Sequence, residues 1–167
     1  GLGYNIPVQP SKNRVYVWRK LKEYGACYFK QGVAILPKSG QSLTRLSGLA
    51  AKIREMGGDA TLVELRFMDA AEEAETVAKF RQRSGNECRG LLRDCAGWMR
   101  DIGNNLFPPS ERGERMKKML KRYSKVRSRD YFQSRAVQDI ASALDDLAGD
   151  MAKVADEVGK QLRSLLD

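Results

Sequence analysis

The hydrophobic pattern of this chain changes period once, near Met68, and that change restricts the fold more than any other feature. Before it, short β-type runs alternate with amphipathic helical stretches. After it, apolar residues recur at helical spacing to the end. The apolar stretch at 4–8 is closed by Pro7 and Pro10 and reads as an edge or first strand. Ser11 is placed to cap a helix in which Val15, Trp18 and Leu21 share one face with Tyr24 flanking it, and Gly25 is placed to end it. On this pattern Trp18 is expected to anchor the helix on the sheet rather than to stack on a base. Runs at 26–30 and 33–36 surround Gly32 and read as two strands. A second helix carries Leu43, Leu46, Leu49, Ala50 and Ile53 and stops at Gly57-Gly58. The segment 60–67 then alternates Thr61, Val63, Leu65 and Phe67 against Leu62, Glu64 and Arg66, the period of a strand. The expected fold class is α+β: a ferredoxin-like split βαβ layer, βαββαβ, over 1–68, followed by a helical domain of long antiparallel helices over 69–167.

Asp69 can cap the first helix of the second region, whose early Glu72, Glu73 and Glu75 suit the positive end of the helix dipole. Val77, Phe80, Cys88, Leu91, Cys95, Trp98, Met99 and Ile102 can share its buried face. Gly85, Gly90 and Gly97 each weaken such a helix by roughly 1 kcal/mol against alanine, which predicts kinks or close packing there. Asn104, Pro108, Pro109 and Ser110 mark a break. A basic helix follows at 111–129, with Met116, Met119, Leu120, Tyr123 and Val126 inside. In the last helix Val137, Ile140, Leu144, Leu147, Met151, Val154, Val158, Leu162 and Leu165 step by three and four, a heptad-like seam. An intramolecular bundle is the expected partner of that seam, with a homodimeric coiled coil as the alternative. Asp145, Asp146, Asp150 and Asp156 lie off it.

Chemistry is scarce in this chain. It has no histidine, so it has no Ser-His-Asp or Cys-His arrangement and no histidine-containing zinc site. Phosphate-binding glycine loops of the P-loop and dinucleotide kinds are absent as well. Cys27, Cys88 and Cys95 are too few and too scattered for a structural metal site or a disulfide framework; they read as small core residues of a protein in a reducing cytoplasm. No apolar run approaches the roughly 20 residues needed to span a bilayer. The expectation is a non-enzymatic protein without cofactor or metal.

Charge is the positive signal. Thirty Lys and Arg against 21 Asp and Glu give a formal +9, which calls for an anionic partner, most often nucleic acid. Between 111 and 135 there are ten basic and three acidic residues, and Arg112, Arg115, Lys118, Arg122, Lys125 and Arg129 recur at three and four. Such a stripe can track a phosphate backbone, because counterion release rewards each neutralised phosphate. A second cluster holds Lys12, Arg14, Arg19, Lys20 and Lys22, with Trp18 embedded in it. After Ala136 the balance reverses to seven acidic and three basic residues, so the basic helix could instead neutralise its acidic neighbour.

Asn5-Ile6-Pro7, Pro10-Ser11, Arg14-Val15, Val17-Trp18-Arg19-Lys20-Leu21-Lys22 and Gly25-Ala26, taken in order, resemble the opening of the ChrB-type chromate-resistance regulators. Gln31-Gly32-Val33, Leu36-Pro37 and Gly57-Gly58 are similar to the elements that follow there. Further on, Glu87-Cys88 resembles a helical E-C pattern of that family, and 125–132 its K-I-x-x-R-D-x-F segment. The resemblance implies a transcriptional regulator of chromate resistance that binds promoter DNA and responds to chromate. Bidentate arginine contacts would suit such a tetrahedral dianion. The split βαβ is also similar to the middle domain of PaaX-type repressors. A protein-interaction or dimerisation module, or an accessory factor in chromate detoxification, is the alternative function.

Overall fold

The computed structural model describes residues 1–104 and 108–166, with side chains described at these positions except 109–110 and 153–166. The chain forms two compact units, Gly1–Phe80 and Arg81–Asp167. Among the described residues the fold is α+β and mostly helical, with one four-stranded antiparallel sheet and five helices.

In the first unit the elements run β1 (Leu2–Asn5), α1 (Ser11–Tyr24), β2 (Cys27–Lys30), β3 (Val33–Ile35), α2 (Gly40–Glu55) and β4 (Asp59–Leu62). The sheet order is β2-β3-β1-β4, and every neighbouring pair is antiparallel. Leu2 pairs with both Ala34 and Leu62, so the fully buried Leu2 sits at the centre of the sheet. The first strand therefore begins earlier than the 4–8 stretch suggested and ends at Asn5, before Pro7. The last strand is shorter than its alternation predicted. Its final rung joins Val63 to Gly1, and nothing in β1 pairs with the alternating residues beyond.

Local chemistry explains the turns. Gly25 closes α1 in the left-handed conformation, at φ 75°, and donates its N–H to the carbonyl oxygens of Leu21 and Lys22. Ser39 precedes α2 and accepts a hydrogen bond from the Ser42 N–H at 3.0 Å, covering one of the donors orphaned at a helix start. A Cβ at Gly58 would lie 2.6 Å from the carbonyl oxygen of Asn5, so only glycine lets β1 and the α2–β4 turn approach this closely.

Two expected helix faces are turned. In α1 the buried residues are Val17 and Leu21, with Asn13, Lys20 and Tyr24 half-buried. Trp18 is 50% exposed and Val15 is exposed as well. Trp18 is thus not the anchor of this helix. The sequence offers two interleaved three-four stripes about 100° apart; the one through Val17 is turned inward, and the indole of Trp18 lies beside Lys22 instead, 5.1 Å from its ammonium. In α2, Leu46, Leu49, Ala50 and Ile53 are buried as expected, but Leu43 is 62% exposed and Ser42 takes the inner place. The hydrogen bonds of Ser42 to Ser39 fix which side of the first turn faces inward.

The helices α3 (Ala70–Gly103), α4 (Pro109–Arg127) and α5 (Arg135–Leu166) supply the rest. One core joins all three: Cys88, Leu91, Cys95, Trp98 and Ile102 from α3, Met119 and Val126 from α4, and Val137, Ile140, Leu144 and Leu147 from α5. The three-four seam of the last helix is buried against its own chain through Leu147, with Met151 packed at its edge. Val154, Val158, Leu162, Leu165 and Asp156 fall outside the described side chains, as does part of the break around Asn104, at 105–107. Leu120 is exposed rather than inside. Asp69 accepts from the N–H of Ala71 at 2.8 Å at the start of α3. Gly90 and Gly97 sit in an unbroken helix where an added Cβ would meet nothing within 4 Å, so close packing does not account for them.

Candidate nucleic-acid interface

The outward side of α1 carries the first basic cluster. Lys12, Arg14, Arg19 and Lys22 are exposed, together with Val15, Tyr16 and Trp18. Lys20 is set apart from them: it is half-buried and donates to Glu23 at 3.0 Å, which raises its pKa. Glu23 is the single carboxylate within α1, and Lys20 already holds it. Among the described residues no carboxylate pairs with Lys12, Arg14 or Arg19.

The second cluster is partly taken up by its neighbours. Arg112 is 5% exposed, and Arg115 is half-buried. Arg122 forms an ion pair with Asp94 of α3. Arg129 is held through two nitrogens by both carboxylate oxygens of Glu87, each at 3.3 Å, and its Nε donates to the carbonyl oxygen of Lys125. Lys118 and Lys125 remain exposed. The six residues therefore do not make one continuous cationic stripe, because burial and acidic partners on α3 take up half of it.

The Glu87–Arg129 pair belongs to a polar knot that sequence reading left as separate segments. Asp130 accepts from the Ser84 hydroxyl at 3.1 Å and from the Ser134 N–H at 2.7 Å, just before α5. A carboxylate there suits the positive end of the α5 dipole. The Glu87-Cys88 and Arg129-Asp130 segments are thus two halves of one clamp between α3 and the α4–α5 connection. Their opposite charges 42 residues apart were the only sequence signal of it.

Burial pushes the Cys88 and Cys95 thiols above their ordinary pKa, which makes them poorer nucleophiles, and all three cysteines are free thiols. Burial, and then a hydrogen bond to Tyr28, raises the pKa of Tyr4 well beyond its usual value. Among the described residues no group of three or more His, Cys, Asp or Glu could hold a metal ion, and no helix is long and apolar enough to cross a membrane.

The chain therefore comprises an α+β layer with an exposed cationic helix face and, separately, a three-helix core. Residues 14–165 match the model of the family described as "Protein ChrB, N-terminal", and the chain belongs to that family, which makes it a chromate-resistance-related protein. No curated protein and no solved structure matches the chain.

Proposed function

We propose that the chain is a non-enzymatic, DNA-binding transcriptional regulator of chromate resistance. In this reading its first unit is a ferredoxin-like layer, DNA is its partner, and chromate or a similar oxyanion is its effector. Family membership supports the chromate link, and the order β4-β1-β3-β2 with two helical connections supports the layer. The observation that carries the DNA reading is the outer face of α1, where Lys12, Arg14 and Arg19 stand exposed without a carboxylate partner. Cations already neutralised in the fold release few counterions on binding, whereas these three keep their full electrostatic value.

The rival interaction-module reading has less to draw on. Its dimerising seam would need an uncovered apolar face, and Val137, Ile140, Leu144 and Leu147 are already buried inside the chain. A titration of promoter DNA from a chromate-resistance operon at two salt concentrations tests the proposal. Affinity that falls steeply as salt rises is expected. Absence of binding at low salt, or affinity that ignores salt, would remove it.

A further inference from the structure

The half-exposed Trp18 has no role in the core and none in phosphate contact. We infer that it is a stacking platform for an unpaired nucleobase, so that the α1 face takes a single nucleic-acid strand. The inference rests on the nucleic-acid reading above and adds the class of ligand.

The geometry is a row along one helix side. Positions 14, 18 and 22 are successive turns of α1, about 6 Å apart along the axis at 1.5 Å per residue. Arg14, the Trp18 ring and Lys22 therefore present cation, flat apolar face and cation in sequence, with Arg19 beside them. A nucleotide strand offers the complementary alternation: phosphate, base, phosphate. Base–aromatic stacking is tolerant of sequence because every base has a π-face, and flanking cations hold the backbone.

The Lys22 ammonium already lies 5.1 Å from the ring centroid, so the face of this indole is open to an approaching group. An incoming base would take that place on the ring. In a duplex the bases are stacked on one another and cannot reach the ring, so duplex binding uses the cations alone. A protein partner fits less well, because a tryptophan hot spot wants an apolar surround that excludes water, and although Val15 is exposed one turn away, this ring is flanked along its row by cations.

The test uses the full chain, an oligothymidylate single strand, a mixed-sequence duplex and polyglutamate. The chain has two tryptophans, and Trp98 is buried. Oligothymidylate is expected to quench the intrinsic emission, and Trp18→Phe to abolish that quenching, because the remaining emitter lies in the core. Trp18→Ala is expected to weaken single-strand binding about tenfold with an unchanged salt slope and unchanged duplex affinity. Trp18→Phe should restore most of the affinity. Unchanged single-strand affinity in Trp18→Ala, with Arg14→Ala/Arg19→Ala weakening both strands, would overturn the stacking role and leave the nucleic-acid reading intact. Polyglutamate binding as tightly as the oligonucleotide and quenching Trp18 equally would also overturn it, assigning the face to an acidic protein. Failure of every nucleic acid to bind at low salt would remove the proposed function itself.

Discussion

The two basic regions look alike as sequence and differ in the folded chain. The α4 cluster is the denser, yet three of its arginines are taken up by the fold, Arg112 by burial, Arg122 by Asp94 and Arg129 by Glu87, while Lys118, Lys125 and Arg127 stay exposed. The α1 cluster is smaller, yet Lys12, Arg14 and Arg19 are exposed and without a carboxylate partner. Local charge density is therefore a poor guide to a binding surface. What matters is whether carboxylates elsewhere in the chain have already claimed the cations.

The most severe way to separate the regions is to remove α5. A chain ending at Arg135 loses Val137, Ile140, Leu144 and Leu147 from the core and should lose the cooperative unfolding of the second unit, read by calorimetry together with dye binding to exposed apolar surface. A fragment that stayed cooperatively folded would show that the seam serves another chain.

Arg129→Ala tests the clamp. It strips a largely buried carboxylate, Glu87, of its partner and should cost about 2–3 kcal/mol by denaturant unfolding. Glu87→Gln in the same background should recover part of that loss. If Arg129 were instead a phosphate contact, stability would hold and DNA affinity would fall.

Arg14→Ala/Arg19→Ala should show the opposite pattern. Stability should stay within about 0.5 kcal/mol, while DNA affinity falls for all sequences alike and the salt slope drops by about one unit per lost contact. Arg122→Ala should weaken DNA binding far less than either α1 arginine. Equal effects would erase the distinction between the two regions.

A pH scan probes the core beneath α4. Cys88 and Cys95 have raised pKa values in the fold, and an unfolded thiol ionises near 9.0. The folded state holds these protons more tightly, so the stability these two thiols contribute is present below pH 9 and declines as pH rises toward their raised folded values. The unfolding temperature of the second unit should drop on that alkaline side, and Cys88→Ala/Cys95→Ala should flatten the drop.

The smallest effect is expected at Trp18. Because the ring is half exposed, Trp18→Ala should change stability by less than about 1 kcal/mol, read by thermal unfolding. A loss of 3–5 kcal/mol, the size expected of a buried aromatic, would show that the ring anchors α1 after all.

By itself, the sequence determined the element order, the helical period after Met68, the three-four seam through Leu147, and the turns at Gly25 and Gly57-Gly58. These follow from local rules: side-chain periodicity, capping and the conformational freedom of glycine. The family was legible too, through short motifs in a fixed order, and residues 14–165 match it. Tertiary structure alone decided which of two neighbouring stripes on α1 is buried. Val15, Trp18 and Leu21 were as apolar a choice as Val17, Leu21 and Tyr24, and only the shape of the surface beneath selects between stripes 100° apart. It alone brought Glu87 to Arg129 and Asp130 to Ser84, pairings 42 and 46 residues apart that no local period encodes. The candidate site was half legible for the same reason. The residue types on α1 can be read from the sequence, but the exposure of Trp18 depends on which neighbours a side chain meets.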